Sequence, residues 1–219
     1  MNKPKLIVFA SGTKDGGGSG FENLVHASWD GILDAEIVAV VSNNEHGGVH
    51  ERANRLGIHF VYFSGPYDAG SYERIVANAD AEWVALSGWL KHVKGLDPAR
   101  TFNIHPTLLS EARFAGLYGQ KVHQAVADAL EKGEMTESGL SMHFVTDEYD
   151  RGPIFFEYRV PLKKGMSAEE IAKAVNVEEH RWQPKITNMV VHGEIRWDGK
   201  DSQSLNVPGD YKYLPRLNA

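Results

Sequence analysis

The sequence predicts an α/β fold: a Rossmann-like parallel sheet with helices on both faces, continuing into a C-terminal half with an antiparallel strand. Three observations carry that reading. Runs such as Leu6 to Ala10 and Ile37 to Val41 are apolar at every position, whereas a strand with one wet face would alternate. Helix-patterned segments separate these runs, as a parallel sheet requires. Near the other end, Asp147 to Pro153 is a short link full of turn formers between two strand-like segments, which favours antiparallel pairing.

In chain order, Leu6 to Ala10 reads as the first strand and Ser11 to Gly20 as a glycine-rich loop. Phe21 to Leu33 reads as a helix, Ile37 to Val41 as a strand and Val49 to Leu56 as a helix. Ile58 to Phe63, Trp83 to Leu86 and Phe102 to Ile104 follow as strands, with a helix over Tyr72 to Ala79. In the second half, Val122, Ala125, Val126, Ala129 and Leu130 share one helix face. Ser141 to Thr146 and Ile154 to Leu162 read as the antiparallel pair. Ser167 and Glu170 have capping-box spacing for a closing helix, which Pro184 is expected to kink or divide. Residues after Asp201 form a polar tail, packed through Tyr211, Tyr213 and Leu214.

Composition narrows the function classes. Apolar residues make up 42% and charged residues 24%, which excludes a disordered or fibrous chain. The net charge is −6, from 23 basic and 29 acidic residues, against a general nucleic-acid binder. Cysteine is absent, so the chain has no thiol nucleophile, disulfide framework or thiolate metal site. The longest early apolar run is too short for a signal peptide or membrane span, so a soluble, cytoplasmic protein is expected. The histidines have no compact metal-ligand spacing, and no metal is expected.

Three segments could carry chemistry. The glycine loop between strand and helix offers backbone N–H groups and a helix N-terminus to a phosphate. It matches neither the Walker A pattern nor a clean dinucleotide fingerprint. Asn103 and His105 end the fifth strand, where open sheets place their ligands, and a two-residue period puts them on one side. An amide and an imidazole together suit a reaction that develops negative charge on oxygen. Asp147, Glu148 and Asp150 crowd one turn; a carboxylate that reached His105 would raise its pKa and orient it. His123 and His143 fall on flanking elements and could line the same pocket.

These segments resemble the phosphoribosylglycinamide formyltransferase family of folate-dependent enzymes. The resemblance lies in Leu86 to Lys91, Asn103 to Leu109, Gly116 to Gly119 with Val122 to Val126, and Ser141 to Pro153, in the family's order. It implies one formyltransferase domain over 1–219, with a nucleotide and phosphate half to about residue 100 and a folate-binding, catalytic half beyond. It also implies 10-formyltetrahydrofolate as co-substrate and the amino group of glycinamide ribonucleotide as acceptor. The matching catalytic trio is Asn103, His105 and Asp150. The chemistry expected of it is a protonated His105, kept charged by Asp150, stabilising an oxyanion together with Asn103. Gly18, Ser19 and Gly20 match the phosphate loop, and Glu179 matches an acid that contacts the ribonucleotide. Leu90, Lys91, His92 and Val93, with Thr146, Asp147, Glu148 and Tyr149, match the folate segments.

The chain departs from the family pattern in three places. Its glycine loop is longer, with Gly20 where an Asn is common. The loop Ser110 to Ala115 is longer and lacks the usual proline. The helical segment before Asp150 is extended. Competing readings are formyl transfer to methionyl-tRNA or an amino sugar nucleotide, formyltetrahydrofolate hydrolysis, and a non-catalytic phosphometabolite-binding domain.

Overall fold

The computed structural model describes residues 2–111 and 119–215. Its elements are β1 (Lys5–Phe9), α1 (Ser19–Trp29), β2 (Glu36–Ser42), α2 (Gly48–Leu56), β3 (Phe60–Tyr62), α3 (Ala69–Asn78), β4 (Trp83–Ser87) and β5 (Thr101–His105). They continue as α4 (Gln120–Glu131), β6 (Glu137–Phe144), β7 (Ile154–Pro161) and α5 (Ala168–Val191). The strands form one sheet in the order β3-β2-β1-β4-β5-β6-β7. The pairings from β3 through β5 are parallel. β6 pairs antiparallel with both β5 and β7, so it alone runs against the rest. Most of the long loop expected over Ser110 to Ala115, and Gly116 to Tyr118 of the quoted motif, lie outside the described residues.

The unbroken apolar runs follow from burial on both faces. Leu6, Val8 and Ala10 pack into one core with α1 and α5 residues, while Ile7 and Phe9 pack into a second core with Tyr72 and Trp89. Fully burying one such side chain stabilises the fold by about 1.5–3 kcal/mol. The chain order reverses at β1 and β4, which opens a crevice at the C-terminal ends of these strands.

Some boundaries differ from expectation. α1 begins at Ser19 rather than Phe21, because Gly18 takes the left-handed conformation (φ 79°) and turns the chain directly into the helix. β6 begins four residues earlier than read, paired with β7 as far as Pro161.

The capping box forms as expected, with Ser167 and Glu170 reciprocally bonded. The division expected at Pro184 does not occur: α5 continues through it. Proline cannot donate to the carbonyl four residues back. That carbonyl, on His180, accepts instead from Asn23 Nδ2 of α1 at 2.8 Å. The tail packs through Tyr213, whose ring meets Phe156 and Trp182, and through Tyr211, whose ring meets Tyr213; Tyr213 O accepts from Glu157 N on β7 at 2.7 Å. Leu214, expected to join them, is exposed.

Candidate active site

A cleft of about 670 Å³ opens at the β1/β4 reversal. The end of the glycine loop, the ends of β4 and β5 and one side of α5 line it, and the loop meets α5 where Ser19 Oγ lies 3.3 Å from His180 Nε2. Asn103, His105 and Asp150 all line it, as do Gly18, Ser19, Gly20, Glu179, Leu90 and Tyr149. Lys91, His92, Val93, Thr146 and Glu148 line an adjoining cavity of about 30 Å³, which shares Asn103, Tyr149 and Asp150 with the cleft's lining. Asp147 lines neither. Its backbone oxygen accepts from His92 Nε2 at 2.8 Å and its Oδ1 from Gly95 N at 3.2 Å, tying the 91–95 loop to the 146–150 loop.

The extra length of the glycine loop is accounted for. Thr13 and Gly16 close a small hairpin, Thr13 N donating to Gly16 O at 2.8 Å. The hairpin lies against the start of α2: Gly48 N donates to Thr13 O, and a Cβ on Gly48 would overlap Gly16. The added residues thus lean away from the cleft and leave Gly18 to Gly20 on its wall. Ser11 joins this loop to the next, accepting from Leu90 N at 2.9 Å.

At the end of β5 the geometry is polar and incompletely paired. The β5/β6 register sets His143 opposite Asn103, and Asn103 Nδ2 lies 3.1 Å from His143 Nε2. The same His143 nitrogen is 3.5 Å from Asp150 Oδ1. Three buried atoms in this group have no hydrogen-bond partner among the described residues: His105 Nε2, His123 Nδ1 and Asp150 Oδ2. Asp150 also adopts φ 53°, a left-handed conformation that Asp tolerates better than most residues.

One expectation is corrected here. His105 is not held protonated. Burial is the largest influence on it; the attraction of Asp150 opposes burial, and His143 and His123 add to it, leaving its pKa lowered to about 4. The imidazole is therefore neutral at neutral pH. Asp150 influences His105 through space, and the imidazole within ion-pair distance of it is His143, at 3.5 Å. Burial pushes the Asp150 carboxyl up, yet the His143 bond and the nearby imidazoles overcome that and hold it below its ordinary value. Glu179, with Asn176 donating to it, is pushed up by burial to about 7.

His143 and Glu157 matter more than their sequence context suggests. Ser141 Oγ, on β6 opposite His105, contacts Thr107 O at 2.8 Å and Glu157 Oε1 at 3.0 Å and accepts from Leu109 N. Glu157 also accepts from the backbone N–H and the hydroxyl of Ser110. This network anchors the chain where it leaves His105. The signal for both residues was the alternation of β6 and β7, but their partners depended on the register.

A cleft at the strand-order reversal, lined by an amide, an imidazole, a carboxylate and the end of a glycine loop, is an arrangement that suits group transfer. The formyl transferase family matches residues 4–187, and the chain belongs to it. The chain is similar to the chloroplastic phosphoribosylglycinamide formyltransferase of Arabidopsis thaliana, at 34% identity over 206 residues, covering 89% of this chain and 68% of that protein. The phosphoribosylglycinamide formyltransferase of Escherichia coli is 30% identical over 204 residues, covering 87% of this chain and 89% of that protein. The fold matches the crystal structure of glycinamide ribonucleotide transformylase 1 from Symbiobacterium toebii with a TM-score of 0.77, at 24% identity and 94% coverage of both chains. Among the described residues no helix is long and apolar enough to cross a membrane.

Proposed function

We propose that the protein transfers the formyl group of 10-formyltetrahydrofolate to the amino group of glycinamide ribonucleotide, a step of purine biosynthesis. The observation that carries this reading is the set of unpaired buried atoms, His105 Nε2 and Asp150 Oδ2, beside Asn103 at the end of β5. Unpaired buried polar atoms are costly, and a reacting ligand that satisfies them gives a reason for the cost.

The half of the chain to about residue 100 holds the acceptor's phosphate at Gly18, Ser19 and Gly20, with Glu179 on the sugar side. The half beyond supplies the catalytic groups and, with Leu90 to Val93, the pterin contacts. Leu90 and Tyr149 are exposed apolar surfaces beside the cleft and suit a flat ring. The acceptor amine attacks the formyl carbon, and the carbonyl electrons move onto oxygen. Asn103 and neutral His105 each donate an N–H to that oxyanion; a neutral imidazole suffices as donor when burial prevents protonation. Asp150, ionised beside His143, takes the proton that the attacking nitrogen loses. It returns that proton to N10 of the folate as the carbon–nitrogen bond to the folate breaks.

The test is to mix the protein with both substrates and follow tetrahydrofolate release and formylated product together. Ribonucleotide-dependent transfer that falls about 10²–10³-fold in His105→Ala is the expected result. Formate release without an acceptor would replace this reading with hydrolysis. No release with any amine would move the function to phosphometabolite binding.

A further inference from the structure

At the phosphate end of the cleft, Gly20 is the second residue of α1 and lies on the cleft wall. A Cβ built on Gly20 would overlap Ser87 Oγ and sit 3.2 Å from Gln183 Oε1. The Ser87 hydroxyl therefore occupies the space that a side chain at residue 20 would need. Ser87 ends β4 and Gln183 comes from α5; both are at least nine-tenths buried, and both line the cleft. Their mutual bond is loose, with Ser87 Oγ 3.5 Å from Gln183 Oε1. A bond of that length yields readily to a charged or sugar oxygen. Ser19 Oγ, 3.3 Å from His180 Nε2, lies in the same wall. The first intrahelical bond of α1 runs from Glu22 N to Gly18 O, so the N–H groups of Ser19, Gly20 and Phe21 are left for a ligand. Polar groups from three separate elements thus meet at one helix N-terminus.

We propose that Ser87, oriented by Gln183, is an acceptor-specificity residue: its hydroxyl, standing where a residue-20 side chain would lie, holds the phosphorylated sugar of the acceptor. The inference rests on the reading of a phosphorylated amine as acceptor. Its test does not require turnover. Ribose 5-phosphate is titrated into the full chain by calorimetry, for the wild type, Ser87→Ala, Gly20→Ala and the double variant. Thermal unfolding establishes that each is folded.

The wild type is expected to bind. Ser87→Ala is expected to weaken binding about tenfold through loss of the hydroxyl, and Gly20→Ala by a similar factor because its methyl displaces the same hydroxyl. The double variant is expected to bind no more weakly than either single one, since one interaction is lost once. Unchanged affinity in Ser87→Ala, additive losses in the double variant, or no binding by the wild type would each overturn the proposal. If Gly20→Ala does not fold, Ser87→Ala alone decides. Binding that depends on Ser87 in a protein that transfers no formyl group to glycinamide ribonucleotide would uphold this inference and refute the proposed acceptor.

Discussion

Two carboxylates of the β6–β7 hairpin, partly buried Asp150 in the link between the strands and buried Glu157 in the middle of β7, have opposite surroundings. Glu157 is fully engaged: one oxygen accepts from Ser110 N and contacts Ser141 Oγ, and the other accepts from Ser110 Oγ. Asp150 has one oxygen 3.5 Å from His143 and one buried oxygen with no partner, on a backbone at φ 53°. The hairpin thus carries one complete network and one open one. The complete network fixes the chain beyond His105. The open network leaves acceptor capacity at the cleft, where a left-over lone pair costs about 1–3 kcal/mol until something binds it. Hydrogen-bond satisfaction separates these two carboxylates more sharply than burial does.

Three substitutions probe that contrast. Asp150→Asn removes the open acceptor and should lower kcat about 10²–10⁴-fold while calorimetric ribonucleotide binding persists. A parallel loss of binding would make Asp150 a scaffold residue like Glu157. His143→Leu removes the bond that holds the Asp150 carboxyl low. In the proposed mechanism Asp150 acts ionised, so kcat falls on the acid side of the pH profile; with its pKa freed to rise, that acid limb should move to higher pH. An unmoved limb would show that His143 does not set this ionisation. Glu157→Gln presents an amide to the Ser110 donors and should cost about 1–3 kcal/mol in urea unfolding. Its effect on kcat should be much smaller than that of Asp150→Asn, and equal effects on rate would erase the distinction.

The sheet was legible because its signals are local. Uniform apolar runs disclosed two-sided burial, and turn formers from Asp147 to Pro153 disclosed the hairpin. Asn103 and His105 were placed together by the two-residue period alone, and both line the cleft. What escaped depends on distant parts of the chain. His143 becomes Asn103's neighbour only through the β5/β6 register. The neutral state of His105 comes from burial and from imidazoles on α4 and β6. Pro184 read as a kink or division because Asn23, which takes the spare His180 carbonyl, lies 157 residues before that carbonyl in the chain. The conflict between Gly20 and Ser87 is a matter of a single atom's volume.

The tail that lies along β7 has a consequence for solubility. A seven-stranded open sheet has two outer strands, and each is a template for pairing with another molecule. At one border β3 is only three residues long and offers little length for such pairing. At the other, β7 is eight residues long, and the backbone N–H of Glu157 is already taken by Tyr213. The tail therefore shields the longer border from intermolecular β-pairing, and clipping it would create an aggregation hazard well away from the cleft.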